Sequence, residues 1–251
     1  MSKYVVVFLL IFMILSSSAW AKTVVDEIKA RGELVVGSDA AYPPFEFVDK
    51  DGNIVGIDID IAKAVADYLG VRLRVVNTSF DGIIPALLAK KFDFLISAMT
   101  ITPERAKQVD FSIPYYSAGQ LITVRADDNR IKGEKDLQGK IVAVQLGTTG
   151  HFYAESIPGV KEVRKFETVD GAFLELKSGR ADAVITDDLT SLAFVRSTDG
   201  LKVINKLLTK EQYGIAIRKE DKALLRAVNT VIARLKKEGV IEELRKKWAS
   251  W

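Results

Sequence analysis

The sequence predicts an α/β protein built from two similar lobes, each with a mainly parallel sheet covered by helices. Short apolar and β-branched runs alternate with helical patterns, which is typical of parallel sheets with helices on both faces. Residues 22–251 remain once an N-terminal segment is set aside, a length that suits one large domain or two domains of about 100–130 residues. A partial internal repeat favours two.

The composition is that of an ordinary globular protein, with 48% hydrophobic residues, 27% charged residues and a formal net charge of +3. This near-neutral balance argues against a dedicated nucleic-acid binder. The chain has no cysteine, which excludes disulfides, zinc–thiolate sites, iron–sulfur clusters and cysteine nucleophiles. It has one histidine, His151, so a histidine metal cluster is not expected and any Ser-His-Asp triad would have to use that residue. We expect no cofactor.

Residues 1–21 have the pattern of a secretory signal peptide. Lys3 gives a short basic start, residues 4–15 form an unbroken apolar run, and Ala19-Trp20-Ala21 is a small-x-small cleavage site. The apolar run is shorter than the ~20 residues of a membrane-spanning helix, so cleavage after Ala21 is favoured over an N-terminal membrane anchor. No cysteine lies at the cleavage site, so no lipid anchor is expected, and we predict a periplasmic protein.

The internal repeat relates two segments, each of which reads as a helix followed by a strand. Asp81-Gly82 is followed at offsets of 6, 10, 12 and 15 residues from the aspartate by Leu87, Lys91, Asp93 and Ile96. Asp170-Gly171 is followed at the same offsets by Leu176, Arg180, Asp182 and Ile185. Upstream, residues 32–36 resemble residues 139–143. Each half therefore reads as strand, helix and strand.

The predicted elements are typical of buried strands and amphipathic helices. The strands cover 34–37, 73–76, 94–98, 141–144 and 183–185. Aspartates are candidate caps for the helices between them, namely Asp58 or Asp60 for a helix that ends at Gly70, then Asp81 and Asp170. A hairpin joins 45–47 to 54–56. Two helices end the chain, and the first has an apolar face formed by Leu224, Val228, Val231, Ile232 and Leu235.

Two loops are candidate anion sites, because ligands of open parallel sheets bind beyond the carboxyl ends of strands. Residues 102–105 start a helix with a threonine cap and a proline in the first position. Arg105 then opposes the helix dipole, which makes sense if an anion binds there; an arginine turned into solvent is the alternative. The second candidate is the segment 147–150, which lacks the phosphate-loop pattern.

Other residues after predicted strands suit the remainder of a small polar ligand. Asp187 or Asp188 could receive an ammonium group, and a helix cap is the alternative. Tyr42 and Phe80 could stack on a ligand side chain, although single aromatics more often belong to a core. His151 reads as a surface helix residue rather than a general base.

Together these motifs resemble the extracytoplasmic solute-binding proteins of amino-acid ABC transporters, the group related to glutamine-, histidine- and lysine/arginine-binding proteins. The resemblance covers essentially all of residues 22–251 and rests on the segments 37–47, 56–60, 80–87, 100–105, 110–116 and 212–216. It implies the two-lobed type II periplasmic binding protein fold, with hinge closure on a ligand. The implied bounds are 22–115 and 213–251 for lobe 1, 119–209 for lobe 2, and 115–119 and 209–213 for the crossing strands.

The same resemblance implies how the α-amino and α-carboxyl groups of a ligand are held. Arg105 would bind the α-carboxylate, helped by the backbone N–H groups of Thr100 and Thr149. Asp187 would bind the α-ammonium group, helped by the carbonyl of Ala98.

For the ligand side chain, the resemblance implies that Tyr42 and Phe80 enclose it and that Asp39 and Gln145 reach its far end. Asp39 favours a side chain with N–H donors and disfavours acidic amino acids. Gln145 stands where glutamine binders of the family often carry lysine, and the loss of that cation makes a cationic ligand easier to accept. We therefore expect arginine or lysine rather than glutamine as the ligand, and an ABC permease of the inner membrane as the partner.

Two other functions remain open on this fold. Dehydratases related to the family use a carboxylate in the cleft as a general acid, and Asp39, Glu46, Asp187 and Asp188 are available acids here. We see no nucleophile–base pair or metal set in the sequence, so we expect a binding protein and not an enzyme. A sensor that passes the binding signal to a receptor is the other alternative.

Overall fold

The computed structural model describes residues 22–248. The predicted signal peptide lies outside the described residues. The strands are β1 (Glu33–Ser38), β2 (Ala41–Tyr42), β3 (Glu46–Val48), β4 (Ile54–Val55), β5 (Arg72–Asn77), β6 (Phe94–Leu95), β7 (Asp110–Phe111), β8 (Tyr116–Ala118), β9 (Gln120–Arg125), β10 (Ile141–Gln145), β11 (Glu162–Phe166), β12 (Ala183–Asp187), β13 (Leu201–Ile204), β14 (Glu211–Tyr213) and β15 (Ala216–Ile217).

Helices occupy most of the connections between these strands. They are α1 (Val24–Arg31), α2 (Ile57–Leu69), α3 (Ile83–Leu88), α4 (Pro103–Ala106), α5 (Thr149–Ser156), α6 (Val169–Lys177), α7 (Asp188–Ser197), α8 (Lys222–Lys237) and α9 (Val240–Trp248). Short 3₁₀ turns cover Phe80–Gly82 and Glu134–Leu137. Within residues 22–248, no helix combines the length and the apolar character needed to cross a membrane.

Two five-stranded sheets form the frame of the molecule. The first has the order β5-β1-β6-β15-β7 and the second the order β11-β10-β12-β9-β13. In each, the first three strands are parallel and the other two join antiparallel. The predicted α/β class with two mainly parallel sheets is confirmed.

A two-stranded antiparallel ladder of β8 and β14 lies between the two sheets along the chain. The strands of the first sheet come from residues 33–111 and 216–217, and those of the second come from residues 120–204. The lobe bounds given above, with crossings at 115–119 and 209–213, are kept as a proposal.

The internal repeat corresponds to a repeated backbone contact. The N–H of Asp93 donates to the carbonyl of Val35 at 2.8 Å, and its carboxylate accepts from the Val35 N–H at 2.8 Å. Asp182 makes the same pair of bonds with Ile141, at 2.8 and 2.9 Å. The upstream alignment is therefore off by one residue, because it paired Val35 with Val142. A strand buried on both faces is apolar at every position, so the apolar pattern alone does not fix which residues of two such strands correspond.

Three predicted helix caps are wrong. Asp58 and Asp60 lie inside the first turn of α2, and Asp81 lies in the 3₁₀ turn before α3. Thr168, rather than Asp170, accepts the capping hydrogen bond of α6. Several residues near each helix start could serve as caps, and the pattern of polar residues locates the start only to within about two residues.

The two C-terminal helices cover the first sheet. All five residues of the predicted apolar face of α8 are buried, and α8 and α9 both pack against α2. The indole N–H of Trp248 donates to the carboxylate of Asp60 at 2.8 Å. The end of the described chain is thus held on the lobe that carries β1.

Candidate functional site

A small cavity of about 10 Å³ lies where the carboxyl ends of the strands of both sheets face each other. Eight of the nine predicted site residues line it, and the ninth, Asp39, contacts the lining residue Gln145. The lining residues are Tyr42, Phe80, Ser97, Ala98, Thr100, Arg105, Gln145, Thr148, Thr149 and Asp187. The sequence reasoning singled out neither Ser97 nor Thr148 individually. The binding role of each predicted residue stays a prediction.

Arg105 is buried at the base of α4 and points into the cleft. The hydroxyl of Thr102 caps this helix by accepting from the Arg105 N–H at 3.2 Å, and the guanidinium lies 5.2 Å from the centre of the Phe80 ring. It donates to the carbonyl of Thr100 at 2.7 Å and to the carbonyl of Gly147, across the cleft, at 3.0 Å. The alternative of a solvated arginine is wrong. A guanidinium has five N–H donors. Two of them make these bonds, so the others are available to an anion.

Asp187, at the end of β12, is a buried carboxylate on the other side of the cleft. It accepts from the hydroxyl of Tyr42 and, at 2.7 Å, from the side-chain amide of Gln120. Although it precedes α7, it makes no side-chain cap bond with that helix. Burial, followed by the charge of Glu211, raises the pKa of Asp187 to about 8. A cation placed here would restore its ionised form.

Asp39 is the second buried acid of the cleft. The side-chain amide of Gln145 donates to it at 2.6 Å. Burial, followed by the charges of Asp170 and Glu167, raises the pKa of Asp39 to about 6. The side-chain oxygen of Gln145 is buried and has no hydrogen-bond partner among the described residues. This end of the cleft therefore offers acceptors without a compensating cation.

Two further carboxyls hold the turn that follows β6. The hydroxyl of Ser97 accepts from the Asp39 N–H at 3.0 Å and donates to Glu46 at 2.8 Å. Asp58 accepts from the N–H of Ala98 at 2.7 Å, where the backbone adopts a φ of 41°. Such a conformation is uncommon for a residue other than glycine. Strand β6 consequently ends at Leu95, earlier than predicted, because the following residues turn into the cleft.

Sequence reasoning missed Glu211 and Gln120. Glu211 lies in β14 and accepts hydrogen bonds from the hydroxyls of Thr100 and Thr149. Gln120 starts β9 and links Asp187 to Glu211. Neither follows a parallel strand, so the rule that located the other residues does not reach them. The segment Gln212-Tyr213-Gly214, which carried part of the family resemblance, indicated only that this strand is important.

The expectation that His151 is a surface residue is wrong. Its side chain is buried at the start of α5. One ring nitrogen, Nδ1, accepts from the N–H of Gly147 at 3.3 Å, and the other, Nε2, lies 3.0 Å from Glu155. Gly147 is the residue whose carbonyl Arg105 contacts. His151 therefore supports the loop opposite Arg105.

Two sheets facing a polar cleft, with the buried guanidinium of Arg105 on one side and the buried carboxyl of Asp187 on the other, define a binding protein for small charged solutes. Residues 34–250 match the family described as bacterial extracellular solute-binding proteins, family 3. The chain belongs to this family, whose members similar to it bind amino acids, and the predicted family is confirmed.

Curated relatives include the L-cystine-binding protein TcyJ of Escherichia coli, 36% identical over 226 residues, which are 89% of this chain and 85% of the relative. The ABC transporter arginine-binding protein 1 of the same species is 36% identical over 225 residues, 87% and 91% of the two chains. The structure of the arginine-bound form of truncated ArgBP from T. maritima is 55% identical, with a TM-score of 0.81, and the match covers 84% of this chain and 99% of that one.

Two ancestral proteins of known structure are also similar. An ancestral arginine-binding protein bound to glutamine is 46% identical, with a TM-score of 0.83 and coverage of 87% and 98%. The ancestral amino acid-binding protein AncCDT-1, a precursor of cyclohexadienyl dehydratase, is 47% identical, with a TM-score of 0.86 and coverage of 90% and 99%. The likeness to AncCDT-1 is a likeness to a binding protein.

Proposed function

We propose that the protein captures a basic L-amino acid, with arginine preferred over lysine, and delivers it to an ABC permease of the inner membrane. The observation that carries this proposal is the excess of acid in the cleft. Among the described residues at the cavity, the two acids Asp39 and Asp187 face a single cation, Arg105. Buried charges are costly unless they are paired, so a ligand with two positive groups and one negative group fits this excess.

The two ends of the α-amino-acid group have separate partners. The α-carboxylate would accept from the free guanidinium donors of Arg105 and from the backbone N–H of Thr149, which occupies the first position of α5 and has no partner within the helix. The N–H of Thr100 would be a third donor from the facing side. Asp187, with the carbonyl of Ala98, would accept the α-ammonium group.

At the other end, the cleft suits a side chain that donates several hydrogen bonds. The amide of Gln145 now donates to Asp39, and a guanidinium or ammonium group of the ligand would take over that bond with a full charge. The unpartnered oxygen of Gln145 would then accept a second donor from the same group. A charged donor strengthens such a bond to about 1.5–3 kcal/mol. Tyr42 and Phe80 would flank the aliphatic part.

The relatives support this assignment in part. Arginine is the ligand named for several curated relatives and for the T. maritima structure, whereas cystine is named for a relative that is 36% identical. Cystine carries no net charge, and its second carboxylate would lie near Asp39 without a compensating cation. Glutamine is the second candidate, because a related ancestral arginine-binding protein also holds it and because its amide can donate to Asp39. The family is extracellular, so we place the mature protein in the periplasm, exported by the predicted signal peptide.

The test is calorimetry on protein that has been unfolded, dialysed and refolded, so that any ligand taken up during expression is removed. We expect arginine to bind with a Kd of about 1 μM or tighter, corresponding to about −8 kcal/mol, and lysine to bind more weakly. In Asp39→Asn, arginine should lose about tenfold or more in affinity, while glutamine binding should be unchanged or stronger. Tight cystine or glutamine binding without arginine or lysine binding would overturn the proposal.

A further inference from the structure

Glu211 is the point at which four hydrogen-bond donors converge. Its Oε2 atom accepts from the hydroxyl of Thr100 at 2.6 Å and from the hydroxyl of Thr149 at 2.7 Å. Its Oε1 atom accepts from the hydroxyl of Thr209 at 2.7 Å and from the side-chain amide of Gln120 at 3.3 Å. These donors are all neutral, so they satisfy the carboxylate oxygens without cancelling the charge.

The donors come from both sides of the cleft. Thr100 follows β6 of the first sheet, whereas Gln120 and Thr149 belong to β9 and α5 of the second. A single carboxylate oxygen thus bridges a hydroxyl of one side to a hydroxyl of the other. The two bonds can exist at the same time only while the two sides are together, so opening of the cleft must break at least one of them.

The same donors lead to both ends of the proposed α-amino-acid site. Thr100 and Thr149 carry the backbone N–H groups proposed for the α-carboxylate. The Gln120 amide that donates to Glu211 also donates to Asp187 at 2.7 Å, the proposed acceptor of the α-ammonium group. Glu211 therefore orients residues that read two different ligand groups, and it does so from the crossing strand β14.

We propose that Glu211 is a positioning residue that assembles the α-amino-acid end of the cleft on closure and stabilises the closed form. The four hydrogen bonds of its side chain, rather than its negative charge, are what the proposed role requires. In Glu211→Gln, the amide oxygen still accepts from Gln120 and Thr209, and the two threonine hydroxyls rotate to accept from the new NH₂ group. In Glu211→Ala, all four donors lose their acceptor and the bridge between the two sides disappears. The proposal rests on the proposed function only in the choice of the ligand for the binding measurement.

Closure is measured without any ligand, by fluorescence energy transfer between two labelled cysteines. The sequence has no cysteine, so Tyr68→Cys on α2 and Leu174→Cys on α6, both at exposed positions, take the labels specifically. We expect Glu211→Ala to shift the population toward the open, longer distance. Glu211→Gln and the control Gln212→Ala, an exposed neighbour in the same strand, should match the parent protein.

Stopped-flow binding completes the test. With arginine, or with whichever amino acid calorimetry identifies, Glu211→Ala should raise Kd about 10- to 100-fold, mostly through faster dissociation, while Glu211→Gln stays within about threefold. Parent-like closure and binding in Glu211→Ala would overturn the inference, and so would a Glu211→Gln variant as impaired as Glu211→Ala. If the parent protein binds a different amino acid, only the ligand assignment fails, because the ligand-free distances still report on Glu211.

Discussion

The two sheets share the same arrangement of strands but carry different side chains in the loops beyond the strand ends. In each, a central strand has two parallel neighbours, and an aspartate, Asp93 or Asp182, bonds in both directions to the backbone of the central strand. Beyond the strand ends, the first lobe presents the guanidinium of Arg105, and the second presents the carboxylate of Asp187. A repeated frame therefore brings corresponding loops face to face, while unlike charges in those loops produce a site suited to a zwitterion.

The largest effect should come from removing the charge that each lobe contributes. Arg105→Ala takes away the cation opposite the ligand carboxylate and should raise the Kd for arginine about 30-fold to several thousand-fold, corresponding to about 2–5 kcal/mol. Asp187→Asn keeps an acceptor and should cost less, about 10- to 100-fold. Calorimetry measures both. Arg226→Ala, an exposed arginine of α8, is the matched control, and parent-like binding by Arg105→Ala would contradict the proposed division of charge.

The shared frame can be tested through its two aspartates. Each carboxylate satisfies a backbone N–H, and loss of a buried partner costs about 1–3 kcal/mol. Asp93→Ala should lower the free energy of unfolding more than Asp182→Ala. The Asp93 side chain is 8% exposed and lies 2.5 Å from Arg31, whereas that of Asp182 is 26% exposed and lies 3.8 Å from Arg130. Urea denaturation measures the difference. Asp67→Ala, in an exposed pair on α2, is the control and should change the free energy of unfolding by less than about 1 kcal/mol. An Asp182→Ala variant with a change as small as that would contradict equivalent roles for the two aspartates.

A separate effect should appear as a pH dependence of binding. The pKa values of Asp39 and Asp187 in the ligand-free protein are raised by burial to about 6 and about 8. Because a cationic ligand pairs with the ionised carboxylates, binding expels their protons at lower pH. Arginine affinity should therefore rise from pH 5 to pH 8, by up to about tenfold per pH unit for each protonated carboxyl, and level off above. Calorimetry across this range measures the pH dependence of the affinity. Asp39→Asn should weaken this dependence between pH 5 and 6.

For the ligand-free protein, folding stability changes with pH in the opposite direction to ligand affinity. A carboxyl with a raised pKa in the folded state stabilises the fold in its protonated form, so this contribution is complete below about pH 4 and is lost as the pH rises through about 6 and then 8. Thermal unfolding without ligand should show this decline, and Asp187→Asn should flatten its upper part. An arginine-induced rise in Tm that shrinks between pH 5 and pH 8 would contradict the expected gain in affinity. A ligand-free Tm that does not fall over this range would contradict the expected decline in stability.

Local sequence patterns predicted most of the frame because they report on interactions between near neighbours. The alternation of apolar runs and helical patterns located the central strands, and the apolar face of α8 was correct at every position. The patterns failed where several neighbouring residues could do the same task. Thr168 and Asp170 are both capable caps, and the apolar run around Val35 fits more than one register.

The sequence by itself determined that a two-lobed α/β protein would form and that Arg105 lies in the first turn of a helix beside the cleft, since periodicity and capping act over a few residues. Only the tertiary structure decided which groups meet, as with Tyr42 and Asp187, which are 145 residues apart, or Arg105 and Gly147. It also placed Glu211 among donors from both lobes. The reason is physical: burial, charge and donor geometry at the cleft depend on segments that touch only after both lobes have folded and closed.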